Sequence, residues 1–132
     1  MAPRHTAAPR PKPTAWRLQR LLDMAEGRPC LLHIPGVCNH DPATTVAAHS
    51  NLSIHGKGAH RKADDVYTVA ACSACHSWLD QGSAPKAQKE AAFMRAHADQ
   101  VLAWRWIAQD PAESEPNRRA ARAALERLEA LP

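Results

Sequence analysis

The two stretches CLLHIPGVCNHDPATTVAAHS (residues 30–50) and DVYTVAACSACHSWLDQG (residues 65–82) contain all four cysteines of the chain. Seven residues separate Cys30 from Cys38, and two separate Cys72 from Cys75. Two short-spaced cysteine pairs, brought together by folding, supply the four soft ligands that Zn²⁺ binds tetrahedrally. The spacing therefore predicts a segment organised around a structural zinc ion.

The residues around each cysteine pair indicate how the segment folds. Pro35-Gly36 between the first two cysteines gives the tight turn of a zinc knuckle. The runs at 44–50 and 65–72 are β-like, and the residues after Cys72 can begin a helix with Cys75 in its first turn. The predicted fold class is α+β, with a small treble-clef zinc core of knuckle, β-hairpin and helix, flanked by α-helices.

Haem attachment and redox chemistry are the two alternatives to a zinc site for these cysteines. The sequence CSACH at 72–76 also matches the C-x-x-C-H motif for haem c attachment. That chemistry requires export, and it would leave Cys30 and Cys38 unexplained. A thioredoxin-like redox pair is disfavoured because no βαβ pattern surrounds the motif.

The composition favours a metal-stabilised core. The chain has 132 residues, of which only 20 are Leu, Ile, Val or Phe, and its net charge is +4. A small chain with so few large apolar residues usually needs a metal, a disulfide or a partner. No apolar run is long enough to span a membrane, and the N-terminus lacks the apolar region of a secretory signal. We therefore expect a cytoplasmic protein, with no membrane partner and with reduced thiols.

Proline, charge and helical periodicity divide the chain into four segments. They are a disordered basic arm (1–13), an N-terminal helix (14–27), the zinc-bound core (28–82) and a helical extension (83–132). Thr14 is the expected N-cap of the first helix. Met94 and Trp104 belong to an apolar stripe that we expect to pack, and Pro116 is expected to precede a second amphipathic helix over 117–131.

Residues 28–82 resemble the YbcO-type prophage nucleases, through IPGVCN at 34–39, the Ala48-His49 step and CSACH at 72–76. These are small zinc-bound members of the HNH, or ββα-metal, endonuclease superfamily. The resemblance implies a metal-dependent DNA endonuclease that hydrolyses phosphodiester bonds in the recombination or processing of phage or prophage DNA. It also implies that the cytoplasm is that of a bacterial host.

Carried onto this chain, the resemblance assigns roles to individual residues. His49 matches the general base, and His76 matches the helix residue that ligates a catalytic Mg²⁺ or Mn²⁺. The cysteines match the structural zinc ligands: Cys30, Cys38, Cys72 and Cys75. The alternatives to these catalytic roles are structural ones. His49 could be a buried strand histidine, and His76 could be a helix-start or metal-orienting histidine.

One position departs from the superfamily pattern. Many HNH enzymes place an acid or a second histidine just before the general base, where this chain has Ala48. Asp80 lies one helical turn beyond His76 and is the candidate replacement ligand, with a solvated helix carboxylate as the alternative. Weaker candidates for the same role are Asn51, His55, Asp64 and Asp65.

The sequence GKGAHRK (56–62) between the strands is a candidate DNA-contacting loop. Its glycines let the backbone approach a ligand, and Lys57, Arg61 and Lys62 would contact phosphates. A flexible solvated loop is the alternative interpretation. The remaining histidines that we considered are expected to be structural or surface residues: His33, His40 and His97.

Two further function classes compete with the enzyme. A non-catalytic zinc module could bind DNA or a recombination protein, and Ala48 favours it because an incomplete metal site is an inactive one. Alternatively, the C-terminal helices could mediate oligomerisation with zinc serving only the fold. The sequence sets neither the oligomeric state nor the DNA structure that is cut.

Overall fold

A computed structural model describes residues 15–55 and 63–131, and within them the fold is mixed α+β, as the sequence predicts. The elements in chain order are α1 (Gln19–Asp23), β1 (Val46–His49), β2 (Thr68–Ala71), α2 (Ser73–Gln81), α3 (Lys86–Ile107) and α4 (Glu115–Ala130). Short 3-10 turns at Pro42–Thr44 and Ser53–His55 lie on either side of β1. The expected basic arm over 1–13 lies outside the described residues.

Residues 30–38, which we call the knuckle, are joined to the β-hairpin through the backbone. β1 and β2 pair antiparallel, with Ala48 opposite Val69 and His49 opposite Thr68. The backbone N–H groups of Leu31 and Leu32 both donate to the Ala70 carbonyl, so the knuckle lies beside β2. Along the chain, residues 30–38, the hairpin and α2 follow one another in this order.

Helix α2 begins directly after β2, as the sequence predicts. Cys72 is its N-cap, and the sulfur accepts a hydrogen bond from the Cys75 N–H. Cys75 and Leu79 are the buried residues of this helix, so one face packs on the hairpin. The opposite face carries His76 and Asp80 towards solvent.

The first helix is much shorter than the predicted span of 14–27. α1 covers only Gln19–Asp23, and Leu18 before it has an extended backbone. The backbone N–H of Trp16 donates to Asp64 and that of Leu18 donates to Asp65. These tertiary hydrogen bonds hold the preceding residues extended against the segment before β2, and the proposed cap Thr14 lies outside the described residues.

The C-terminal region forms two helices, with two differences from the prediction. α4 begins at Glu115 with Pro116 in its first turn, where a proline is tolerated because its missing N–H has no helical partner. Met94 is 44% exposed, whereas Phe93 and Ala96 form the buried stripe of α3. The helical period was correct, but the buried face is rotated by about one residue from the predicted one.

Two apolar cores share α3. The hairpin core contains residues from the knuckle, both strands, α2 and the first half of α3, including Leu32, Ala48, Val69, Leu79 and Phe93. The helical core joins α1, α4 and the second half of α3, including Leu21, Val66, Trp104, Ile107 and Ala121. In the part of the chain that the structure describes, no helix has the length and apolarity needed to cross a membrane.

Candidate metal centre and histidine networks

The four cysteines converge on one point between the knuckle and the start of α2. Their sulfur atoms all lie within 4.8 Å of one another, and no disulfide joins them. Cys72 and Cys75 are buried, whereas Cys30 and Cys38 are half-buried. The four residues form a group that could hold a metal ion, with a donor set consistent with structural zinc.

Backbone N–H groups point at the sulfurs of this cluster. The His33 N–H donates to Cys30 and the Ile34 N–H to Cys75, each at 3.3 Å. Hydrogen bonds of this kind stabilise the thiolate, which is the metal-binding form. Tetrahedral Zn–S bonds of about 2.3 Å require sulfur–sulfur separations of about 3.8 Å, and the sulfurs of Cys38 and Cys72 are 3.9 Å apart. The spacing and the chemistry of the donors therefore fit a Zn²⁺ ion.

The pKa values of the thiols differ within the cluster. Burial alone would raise the pKa of Cys72, but hydrogen bonds from the Asn39 and Cys75 backbone outweigh it and lower that pKa to about 7. Burial raises the pKa values of Cys75 and Cys38. Cys72 is therefore more readily deprotonated than these two partners before a metal binds.

His49, at the end of β1, is held by a buried carboxylate. Its Nε2 lies 2.9 Å from Oδ1 of Asp65, whose side chain is only 2% exposed. The same carboxylate accepts hydrogen bonds from the Arg17 guanidinium and from the Leu18 backbone N–H. Asp65 thus links the hairpin to the residues before α1.

The charge state of Asp65 fixes the tautomer of His49. Burial tends to raise the Asp65 pKa, but hydrogen bonds from His49, Leu18 and Arg17 outweigh burial and hold that pKa below its ordinary value. An ionised carboxylate can only accept, so Nε2 of His49 carries the proton that faces it. In the neutral imidazole, Nδ1 is then the basic nitrogen.

His76 and Asp80 form the second network, on the exposed face of α2. Nε2 of His76 lies 3.0 Å from Oδ2 of Asp80, one helical turn away. The other oxygen of Asp80 accepts a 2.9 Å hydrogen bond from the Asn51 side-chain amide. The structure therefore brings together His76, the proposed replacement ligand Asp80 and the weaker candidate Asn51.

The segment after β1 connects the two networks. Burial alternates along residues 48–52, with Ala48, Ser50 and Leu52 buried, and His49 and Asn51 partly exposed. His49 and Asn51 therefore lie on the same open side of this segment. In residues 15–55 and 63–131, no hydrogen bond or ion pair joins His49 directly to His76 or Asp80.

Ala48, Asp64 and His55 are buried and are not part of this open side. Ala48 is fully buried in the hairpin core, so a longer side chain there would point into the interior. Asp64 binds the Trp16 backbone N–H and Arg127 of α4. His55 is buried and stacks on Tyr67, and burial lowers its pKa to about 4. Asp64 and His55 thus serve the packing of the fold.

Among the described residues, two groups of three or more His, Cys, Asp or Glu side chains have ligand atoms within 4.8 Å of one another. One is the four-cysteine cluster, and the other consists of His33, Cys38 and His40. Neither group includes His49, His76 or Asp80. The predicted DNA contacts of Lys57, Arg61 and Lys62 lie outside the described residues, whereas His97 is buried and hydrogen-bonded to the Val66 carbonyl, as expected of a structural histidine.

Asp65 is the residue of this region whose role sequence reasoning missed. It was considered only as a weak metal ligand, yet its carboxylate is surrounded by hydrogen-bond donors of the protein. The only available signal was the acidic pair Asp64-Asp65 at the start of a strand-like run.

Comparison with known proteins gives related sequences. "Putative nuclease YbcO" of Escherichia coli (strain K12) and "Putative nuclease ybcO" of Enterobacteria phage 82 are each 47% identical over 58 residues. The matched residues make up 43% of this chain and span 58% of the length of each relative.

A solved structure and a family model also match. The structure, described as a putative bacteriophage protein from Escherichia coli str. K-12 substr. MG1655, is 31% identical, with a TM-score of 0.48 over 61% of this chain and 90% of that chain. The family model described as "Putative nuclease YbcO" matches residues 19–109, which is well over half of the chain. The chain therefore belongs to the YbcO family.

Proposed function

We propose that this protein is a metal-dependent endonuclease that hydrolyses phosphodiester bonds of DNA, in the recombination or processing of phage DNA. It would be an HNH-like enzyme of the ββα-metal type, with a treble-clef core held by zinc at the four cysteines. The family description supports nuclease activity. The chain's own support is that His49 and Asn51, two residues apart at the end of β1 and just after it, each belong to one of the two histidine networks.

The observation that carries the proposal is the shared open side of His49 and Asn51. His49 reaches a buried aspartate, and Asn51 reaches the His76–Asp80 pair. A nuclease needs a base that takes a proton from water and a group that stabilises the charge developing on phosphate. His49 supplies a candidate for the first role, and the His76–Asp80 pair, which Asn51 contacts, supplies a candidate for the second.

His49 is the proposed general base. The Nε2–H group donates a hydrogen bond to Asp65, so Nδ1 is the nitrogen that can receive a proton from the attacking water. Asp65 itself is a positioning residue, since its carboxylate is buried and saturated by protein donors.

His76 and Asp80 are the proposed holders of the catalytic cation. One imidazole nitrogen and one carboxylate, which also accepts a hydrogen bond from the Asn51 amide nitrogen, form a donor set that suits Mn²⁺ or Mg²⁺. A cation bound there would polarise the scissile phosphate and stabilise the leaving 3′ oxygen. The basic residues Lys57, Arg61 and Lys62 are proposed to contact the DNA backbone.

The test is cleavage of supercoiled plasmid and branched DNA with Mg²⁺ or Mn²⁺. We expect His49→Ala to lower the cleavage rate by roughly 10²–10⁴-fold, the usual contribution of a general base, with partial rescue by added imidazole. Asp80→Asn should raise the Mn²⁺ concentration needed for half-maximal cleavage. The exposed Asp99→Asn on α3 is its control. Equal rates for wild type and His49→Ala with both metals and both substrates would overturn the proposal.

A non-catalytic zinc module that binds DNA or a recombination protein is the second candidate. It is favoured because no third His, Cys, Asp or Glu of the described residues completes the His76–Asp80 pair. Calorimetric titration of the zinc-loaded protein with Mn²⁺ separates the two candidates. A weak site that His76→Ala abolishes supports the enzyme, whereas DNA binding with no Mn²⁺ site and no cleavage supports the module.

A further inference from the structure

We propose that His33, Cys38 and His40 form a second, exposed site for a transition-metal ion such as Zn²⁺ or Co²⁺. This ion would share the Cys38 thiolate with the four-cysteine site. The proposal concerns the outer surface of the knuckle, and it does not depend on the nuclease assignment.

The first support is the proximity of three ligand atoms. One ring nitrogen of each histidine and the Cys38 sulfur all lie within 4.8 Å of one another. Both histidines are exposed, and Cys38 is half-buried, so an ion can reach them from solvent. Cys38 is thus an accessible sulfur of the cluster, whereas Cys72 and Cys75 are enclosed.

The second support is the backbone conformation that directs the two rings. His33 and His40 have φ values of 42° and 55°, in the left-handed region that non-glycine residues rarely adopt. In this conformation the His33 N–H points at the Cys30 sulfur, and the His40 backbone hydrogen-bonds to Cys38. Each knuckle cysteine thereby fixes the backbone of one histidine close to the cluster.

The third support is that the two imidazoles have no other polar partner in the described part of the chain. The two rings meet edge-on, with centroids 5.1 Å apart. Within the described residues, no ring nitrogen of either histidine makes a hydrogen bond. Together with Pro29, Cys30 and Pro42, the three ligand residues line a depression of about 170 Å³. The depression has room for an ion and a coordinated water.

The donor set determines which ions fit. Two imidazoles and a thiolate suit Zn²⁺, Co²⁺ and other borderline ions, and they do not suit Mg²⁺ or Ca²⁺. Three protein ligands leave the fourth tetrahedral position to water, so this site would be open and would bind more weakly than the four-cysteine site.

The test uses the full chain loaded with one equivalent of zinc. It is dialysed against micromolar Co²⁺, after which both metals are counted and the absorption spectrum is recorded. We expect one additional Co²⁺ per chain, with thiolate-to-cobalt charge-transfer bands because Cys38 is shared. His33→Asn/His40→Asn removes both imidazoles, and asparagine tolerates the left-handed backbone. This double variant should retain one zinc, lose the additional Co²⁺ and show no charge-transfer bands.

His76→Asn/Asp80→Asn is the matched control, because it removes the other proposed cation site and leaves the knuckle intact. It should keep the additional Co²⁺ together with the charge-transfer bands. A wild type that binds no additional Co²⁺ would overturn the proposal, and so would unchanged Co²⁺ binding by the His33→Asn/His40→Asn variant. Loss of charge-transfer bands in the His76→Asn/Asp80→Asn control would also contradict it.

Discussion

At the scale of single residues, Asp65 joins parts of the molecule that are distant in sequence. It accepts from His49 in β1 and from both Arg17 and Leu18 before α1. A buried carboxylate with several donors stabilises the fold, and removing its charge leaves those donors with a poorer acceptor. The same contacts hold the imidazole of His49 in one orientation.

Asp65→Asn should lower the free energy of unfolding by about 2–3 kcal/mol, the usual cost of disrupting a buried charged hydrogen-bond network. Urea unfolding of the zinc-loaded protein measures the effect. The matched variant is Asp80→Asn, whose side chain is 41% exposed, and it should change stability by less than about 1 kcal/mol. Similar losses in both variants would contradict the structural role given to Asp65.

His55 gives the protein a pH-dependent stability. Burial, with a smaller effect from the nearby His97, lowers the pKa of His55 to about 4. Below pH 6.5 the unfolded chain binds a proton that the folded chain excludes. The free energy of unfolding therefore decreases as the pH is lowered from 6.5 to about 4, where the imidazole titrates in the folded protein. The contribution is up to about 1.4 kcal/mol per pH unit.

His55→Asn should therefore be less stable than wild type at pH 7 but should lose stability less steeply between pH 6.5 and 5. Denaturant midpoints across this range measure the two slopes. Gly27→Ala changes no titratable group and should keep the wild-type slope. A His55→Asn slope equal to that of wild type would contradict the assignment of the proton to His55.

Local spacing explains which residue contacts could be predicted from the sequence. His76 and Asp80 lie one helical turn apart, so their contact follows once α2 is recognised. The pairing of His49 with Asp65 joins positions 16 residues apart across a loop. No local periodicity encodes that contact, because it depends on the register of the hairpin and on the approach of the segment before α1.

At the scale of elements, the knuckle depends on glycine at one position. Gly36 has φ +73°, and a Cβ added there would meet no atom within 4 Å. The cost of a side chain at this position is therefore conformational and not steric. Because Gly36 lies between Cys30 and Cys38, the strain would be transmitted to the zinc ligands.

Gly36→Ala should lower stability by roughly 1–2 kcal/mol, the cost of a left-handed backbone in an L-residue. Its zinc affinity should fall by about 5–30-fold, the factor to which that energy corresponds. Gly27→Ala is the matched control, because Gly27 has φ +76° and equally open surroundings but lies outside the cysteine pairs. It should lose similar stability with unchanged zinc affinity in a competition assay with a metal indicator. Equal zinc affinity in the two variants would refute the link between this turn and the metal.

The elements themselves followed from sequence where their signals were local. The strand-like runs and the Cys72 start of α2 were located correctly because alternation and turn residues act over a few positions. The start of α1 within the predicted span of 14–27 could not be located, because it is set by hydrogen bonds from Trp16 and Leu18 to distant aspartates. The buried face of α3 depends on two partners at once, which explains why exposed Met94 was placed in the core.

At the scale of the whole molecule, α3 connects two cores of different character. Its first half packs Phe93 on the hairpin core, and Gln100 accepts a hydrogen bond from the Ala70 N–H of β2. Its second half packs Trp104 among α1 and α4. The hairpin core holds the cysteine cluster, whereas the helical core contains no cysteine. The hairpin core can therefore be stabilised by a metal at the cysteines, whereas the helical core depends on its apolar contacts.

Removing the metal should release the hairpin core before the helical core. The four sulfurs join the knuckle to α2, and without a metal they become thiols, two of them buried, held by weak hydrogen bonds. We expect a strong chelator to raise amide exchange first in residues 30–39 and 69–79, measured by hydrogen–deuterium exchange with mass spectrometry. Residues 118–126 of α4 should keep more of their protection, because Ala121 and Trp104 pack without any cysteine. Re-addition of Zn²⁺ should restore protection in the first two segments. Simultaneous loss in all three segments would instead mean that α3 couples the cores into a single cooperative unit.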